Sequence, residues 1–326
     1  MMSGRRLLAF LVASMIVTVA IALVLPQVLG IYYLHVVDVM LINVILALGL
    51  NMVLGFGGQI SLAQSAFFGL GAYAFAIMQA HGWPAPVAAI GAVAFSGILG
   101  ALLGWPVLRL RGHYLALATL AFALIVSELM VNLDMLTGGA NGMMQIEGVG
   151  LAGNNQPMLY VLLAVTLVAF AGSVIFAYSP MGLRVRAFRD DLIAAQAVGL
   201  NVKAMKIGLF VASAVYGGAA GVCYCWLQGY ISPDVFGWQT TFSYLSMVVV
   251  GGLGSSVGAV IGAALYTLVP EWLRFLQEAY FVMFGAVVII VIALVPGGLA
   301  GLGARLFKRL TRARSTDARS LSEQEA

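Results

Sequence analysis

Apolar runs recur along the whole chain, most of them near the length of about 20 residues that crosses roughly 30 Å of hydrocarbon as a helix. They cover about Leu7–Leu29, Val37–Leu54, Ile60–Gln79, Pro86–Leu108, Tyr114–Leu136, Met158–Tyr178, Ile207–Leu227, Thr240–Gly252, Val257–Val269 and Phe281–Leu299. Polar residues, Gly and Pro gather between them, as in HGWPAP, RLRGH and TGGANGMMQIEGVGLAGNNQP. The pattern predicts an all-α integral membrane protein, a polytopic helical bundle of about 8–10 transmembrane segments. The eighth and ninth runs are short. They predict broken or re-entrant segments, which survive only where protein covers the freed backbone groups. Arg5 and Arg6 precede the first run, as in a signal peptide. The run is longer than a signal core and no clean cleavage site follows, so a retained helix is expected.

Composition agrees with this pattern. Of the 326 residues, 62% are hydrophobic and 9% charged, against roughly 25% charged in soluble domains. Such a chain cannot clothe its surface in polar groups, and lipid must be part of its solvent. The formal net charge is +4, but placement matters more than the sum. With the N-terminus in the cytoplasm and the runs alternating, all of the 16 Lys and Arg residues except Arg274 fall on the inner side. This obeys the positive-inside rule and is not the distribution of a nucleic-acid binder. Residues 1–304 are expected to form one membrane domain with a charged inner segment at 180–206. Residues 305–326 read as a basic, then polar, disordered cytoplasmic tail.

Few residues carry chemistry. Cys223 and Cys225 lie in the apolar stretch GVCYCWL, with C-x-C spacing and no nearby His. They read as small core residues, and no metal site is expected. His35, His81 and His113 are scattered at span ends without metal-ligand spacing, which argues against a membrane enzyme. No G-x-x-x-x-G-K-[ST] loop occurs in the sequence, so ATP hydrolysis by this chain is not expected. Glu128 is the carboxylate read as lying inside a span. It fits either a proton relay or a structural partner of a neighbouring helix, and the structural reading is preferred. Gly217 with Gly221, Gly100 with Gly104, and Gly254, Gly258 and Gly262 in series have the spacing of close helix packing.

Two segments stand out. In LNMVLGFGGQISLAQSAFFGLGAY, the polar residues Asn51, Gln59, Ser61, Gln64 and Ser65 surround Gly55, Gly57 and Gly58, which break the helix. Such a break must be buried in protein or line a wet path, and its uncharged polar groups suit a zwitterionic solute. A tight turn between two helices fits equally well. In SPMGLRVRAFRDDLIAAQAVGLNVKAMK, Asp190 and Asp191 can cap a short helix over Leu192–Val198. Gly199 can end that helix and Asn201 can cap the next span. The apolar Leu192, Ile193, Val198 and Leu200 then need a cover, either lipid headgroups or a groove on a partner protein.

The blocks LGFGGQISLAQSAFFGLGAY, RLRGHYLALATLAFALIVSEL, LTGGANGM, AFRDDLIAAQAVGLNVKAMK and VVVGGLGSSVGAVIGA, in this order, resemble the LivM-type permeases of branched-chain amino acid ABC importers. The resemblance covers roughly Leu41–Gly298. It implies a permease subunit in a bacterial inner membrane with both termini cytoplasmic. It also implies a LivH-like second permease, two ATPase subunits that hold ATP and Mg²⁺, and a periplasmic solute-binding protein. No cofactor in this chain and no nucleic acid are implied. The short helix is similar to an E-A-A-x-x-x-G motif that docks on the ATPase. Ala194, Ala195 and Gly199 fit it, Ile193 stands at the Glu position, and Asp190 and Asp191 supply acid slightly earlier. On this resemblance ATPase coupling is assigned to Arg186, Asp190, Asp191, Ala194, Ala195, Gly199 and Leu200. The translocation path is assigned to Asn51, Gly57, Gly58, Gln59, Ser61 and Gln64, and a periplasmic loop to Thr137, Gly138, Gly139 and Asn141. Importers of urea and short-chain amides use similar permeases. A self-sufficient ion-coupled transporter is the remaining alternative, and it calls for further buried acids and paired broken helices.

Overall fold

The computed structural model describes residues 30–107, 110, 112–144, 156–272, 285, 298–299 and 301. The first and tenth apolar runs and the tail 305–326 lie outside the described residues, apart from the last residues of the tenth run. Among the described residues the chain is helical, with no strand and one isolated antiparallel bridge. Five of the helices among the described residues are long and apolar enough to cross a membrane.

Helix α1 (Ile31–Leu50) continues through a π-helical turn, Asn51–Phe56. Helix α2 (Gln64–Ala80) follows, then α3 (Ala85–Val107), α4 (His113–Asn132) and a single turn, α5 (Asp134–Thr137). Next come α6 (Gln156–Tyr178), α7 (Pro180–Asp190), α8 (Leu192–Ala197) and α9 (Val202–Gln228). Helices α10 (Trp238–Gly251) and α11 (Ser256–Trp272) complete the described bundle. The third run was expected from Ile60, but its helix begins at Gln64, because residues 59–63 are not helical. The fifth run ends at Asn132, where Leu133 leaves the helix before the α5 turn.

Helix α1 is apolar on every side, and such a helix belongs in the centre. In its span 83% of residues are buried, against 28% for α4 and for α6, so α1 is the axis and those two face lipid. Lipid-facing side chains such as Ile98, Leu117, Ile125 and Val168 are exposed. Helix α9 crosses α2 and α3 through small residues. A Cβ on Gly218 would meet Ser96, and one on Gly100 would lie 2.5 Å from Ala214 Cβ. Helices α10 and α11 pack on each other through Gly251, Gly258 and Gly262. These glycines serve close packing, as their spacing indicates. Gly254 does not: it has φ +77° and sits in the turn between α10 and α11.

The two ends of the bundle are distinct. At one end the Met143–Ile231 bridge ties the turn after α5 to the loop after α9, and the Tyr230 hydroxyl donates to the Asn141 carbonyl at 3.0 Å. At the other end the α1–α2 break, the α10–α11 turn and α7 meet. Helix α10 runs from the first end toward the second, and α11 returns to place Glu271 on the Tyr32 hydroxyl at 2.5 Å. The short eighth and ninth runs form a helical hairpin of 14 and 17 residues, both shorter than the candidate spans. At 14 residues α10 spans only about 21 Å, and the loop before it reaches inward, with Phe236 packed on Phe68.

Candidate functional site

The break between α1 and α2 is built by its own backbone. The Gly57 amide reaches back to Met52 O, the Gly58 amide to Leu54 O and the Gln59 amide to Val53 O. These widened bonds end the helix, and π-turns of this kind concentrate at functional sites. Gly58 then takes φ +62°, a conformation that excludes most side chains. Residues 59–63 run back into the bundle, where side chains of other helices meet the Leu62 amide and the first polar groups of α2. Thr119 Oγ1 of α4 accepts from the Leu62 amide at 2.9 Å, and Thr241 Oγ1 of α10 pairs with Ser65 Oγ at 2.7 Å. Ser213 Oγ of α9 donates to Gln64 Oε1 at 2.7 Å. Thr119→Val keeps the shape but leaves the buried Leu62 amide unpaired, at a cost of about 1–3 kcal/mol. A lowered thermal midpoint in detergent is the expected result, with Thr119→Ser close to wild type.

All the path candidates except Gly58 are buried: Asn51, Gly57, Gln59, Ser61 and Gln64. Asn51 Oδ1 accepts from the Gly254 amide at 2.9 Å, while Asn51 Nδ2, both polar atoms of the Gln59 amide and Gln64 Nε2 lack hydrogen-bond partners. Spare donors and acceptors at membrane depth are costly unless water or a polar solute meets them. Ser61 turns inward to the Ala63 amide of its own segment at 3.4 Å.

The charged segment folds as two helices where one was expected. Ser179 Oγ caps α7 by accepting from the Gly182 amide at 3.1 Å, with Pro180 in the first turn. Gly182, Val185 and Phe188 form its buried face, against a cluster that includes Met52, Phe56 and Leu209. Asp191 Oδ1 caps α8 by accepting from the amides of Ile193 (2.9 Å) and Ala194 (3.0 Å). Asp190 ends α7 and is exposed, so Asp191 alone is the cap. Gly199 has φ +80°, and Asn201 caps α9 through the Ala204 amide. Ile193 and Val198 are 80% and 76% exposed. Leu192 and Leu200 are half-buried against the bundle, and Ala195 is buried, so these three hold α8 in place and do not present a surface. Ala194 faces out. The Arg186 guanidinium lies 5.6 Å from the centre of the Phe56 ring, a cation–π contact with the break itself. Removing the cap with Asp191→Ala costs the helix about 1 kcal/mol; faster amide exchange confined to α8 is the measurement that checks it.

A cavity of about 220 Å³ joins these two groups. Gly57, Gly58 and Gln59 line one side, and Phe188, Arg189 and Leu192 the other. Three path candidates thus face the α7–α8 segment across one cavity, while the coupling candidates themselves are not part of its lining. Arg189 is the residue the sequence reading missed: its guanidinium donates to the Gly55 carbonyl.

At the opposite end, the Thr137 hydroxyl donates to Met130 O at 2.8 Å and its oxygen accepts from the Gly139 amide at 3.2 Å. With Gly138 and Gly139 at positive φ and Asn141 held by Tyr230, the loop is closed onto residues 229–237. Glu128 is exposed on α4, and Asn132 Nδ2 donates to its carbonyl at 2.8 Å. Asp38 is 0% exposed near the start of α1, and its carboxylate has no hydrogen-bond partner.

The sequence profile of the family described as "Branched-chain amino acid transport system / permease component" matches residues 32–293. This chain belongs to that permease family. The matched range contains the break, α7–α8 and the 137–142 loop. Among relatives, the high-affinity branched-chain amino acid transport permease protein LivM of Escherichia coli K12 is 32% identical over 274 residues, 74% of this chain and 64% of its own length. The Salmonella typhimurium LivM is similar at 32% over 272 residues, with the same coverage. The chain thus spans less than two thirds of these LivM proteins. LivH of E. coli K12 is 27% identical over 274 residues, 75% of this chain and 86% of LivH. No solved structure matches the chain.

Proposed function

We propose that this chain is a membrane subunit of an ATP-driven importer for branched-chain amino acids. It pairs with a LivH-like permease in a bacterial inner membrane, with both termini in the cytoplasm. Two ATPase subunits, which hold ATP and Mg²⁺, bind at the end that carries α8. A periplasmic binding protein docks at the end that carries the 137–142 loop. The observation that supports this most is the contact of α7–α8 with the α1 break across one cavity, with Ile193 and Val198 left uncovered on the outer face of α8. An uncovered apolar face on a capped helix suits a partner groove. A partner whose affinity for this face differs between its ATP-bound and free states would bias the break between two arrangements. The polar side chains of Asn51, Gln59 and Gln64 then serve a zwitterionic solute in one of them.

The test is uptake by proteoliposomes that contain the chain, its second permease, the ATPases and the binding protein. Leucine accumulation is expected only with binding protein outside and ATP inside. Accumulation by the chain alone under a proton or sodium gradient contradicts the proposal and supports an ion-coupled transporter. Uptake of urea or an amide in place of leucine keeps the importer and reassigns the solute.

A further inference from the structure

Three pieces of the chain with no sequence proximity converge on Arg189. The π-turn frees the Gly55 carbonyl from the helix, and the bonds that close the turn use Met52, Leu54 and Val53 as acceptors. Arg189 Nη1 takes that carbonyl. The stem of Arg189 lies over Gly58, where an added Cβ would come within 2.8 Å of Arg189 Cγ. The same Nη1 is 3.1 Å from where a Cβ on Gly254 would stand, and Gly254 donates its amide to Asn51 Oδ1. Gly58 and Gly254 both have positive φ, so the guanidinium closes a junction made of two side-chain-free turns and one helix break.

We propose that Arg189 is the tether by which the α7–α8 segment holds the α1 break and the α10–α11 turn together. This rests on the reading of α7–α8 as the segment that faces the ATPase. A guanidinium suits the task because it stays charged and offers several donors from one plane, so it can serve a carbonyl and fill a turn at once. A charge-assisted bond to a carbonyl in a partly buried setting is stronger than a neutral one, yet it is a single bond that a shift of α7 can break. Such a contact gives a two-state element: with Arg189 on Gly55 the break is shut and Gln59, though on the cavity wall, is only 7% exposed, and with Arg189 withdrawn Gln59 and Asn51 gain full access to the cavity. Arg189 is a positioning residue and touches no solute in this account.

The tether differs from ordinary packing in what its loss does. The buried face of α7 is carried by Val185 and Phe188, which remain when Arg189 is changed. Helix α8 keeps its cap on Asp191. The surface offered to the ATPase is therefore unchanged in Arg189→Gln, while the link from that surface to the break is lost. Arg184→Gln is the control, because it removes the same charge from an exposed position of the same helix and leaves the Gly55 bond.

The experiment has two arms in the full chain. In the first, Gln59→Cys is introduced with Cys223 and Cys225 replaced by Ala, and labelling by a polar maleimide is timed in membranes. Arg189→Gln is expected to raise the labelling rate about tenfold, the effect of losing one charged hydrogen bond on a two-state equilibrium, whereas Arg184→Gln leaves it unchanged. In the second, the assembled importer is assayed: Arg189→Gln retains its ATPase subunits and hydrolyses ATP, but moves at least about tenfold less solute per ATP. If Arg189→Gln does not fold, Arg189→Lys, which keeps the charge without the fork, is read by the same two assays with intermediate values expected. Equal labelling rates in Arg189→Gln and wild type overturn the tether. If labelling rises but no ATPase ever copurifies with the wild-type chain, the tether stands as a gate of the break and the importer reading is what fails.

Discussion

Gly221→Leu is expected to yield no folded, monodisperse permease. Gly221 lies on α9 where it crosses α2, and a Cβ there would strike the Phe68 carbonyl oxygen and stand 2.6 Å from the Ala72 amide nitrogen. Those atoms belong to helix backbone and cannot rotate aside, so the two helices must part along their length. In lipid no hydrophobic effect between helices compensates, since the tails are as apolar as leucine and close packing supplies the attraction. Overpacking costs about 1–3 kcal/mol where side chains can adjust, and here the obstacle is main chain. The neighbouring Gly71–Gly218 and Ser96–Gly218 approaches would open with it. Gly208 on the same helix is the control, because a Cβ there meets nothing within 4 Å. Gly208→Ala should match or exceed wild type, since alanine is favoured in helices by up to about 1 kcal/mol. Size-exclusion profiles and thermal midpoints in one detergent separate the two variants.

The double change Ile193→Asp with Val198→Asp is expected to leave the permease folded and to remove the ATPase subunits from it. At 80% and 76% exposure these side chains add little to the permease core. They are the apolar part of the outward face of α8, and a helix in a groove draws its affinity from a few such anchors. Loss of two anchors should weaken docking by well over tenfold. Ala195→Asp provides the contrast. That residue is 4% exposed against the bundle, so its change should unseat α8 itself and lower the thermal midpoint. An unchanged ATPase yield from the double variant would move the docking surface away from α8.

How far the sequence foretells this structure depends on whether the deciding contacts are local. Apolar runs two to nine each contain a helix near the expected bounds, because crossing a bilayer demands a continuous apolar stretch. Caps are local too, and Asp191, Gly199 and Asn201 do what their types and positions indicate. Helix α7 was missed although its start is marked by Ser179 and Pro180; its charges (RVRAFRD) conceal the spacing of Gly182, Val185 and Phe188. The burial of Asp38 was not legible because it stands at the edge of an apolar run, where hydropathy alone does not fix depth in the bundle. The partners of the break were beyond reach for a different reason. Thr119, Ser213 and Thr241 look like ordinary polar residues in their own helices, and only the packing of α4, α9 and α10 brings them to residues 62–65. Arg189 is the same case, one of several arginines whose role depends on a carbonyl 134 residues away.

The most direct test of the account is recovery of the tagged chain from its native membrane in mild detergent, with the copurifying proteins identified. The account predicts a second permease and an ABC ATPase in stoichiometric amount, with the ATPase lost in the Ile193→Asp, Val198→Asp variant. Recovery of the chain without either protein, together with ion-driven solute uptake by the purified chain in liposomes, would contradict it.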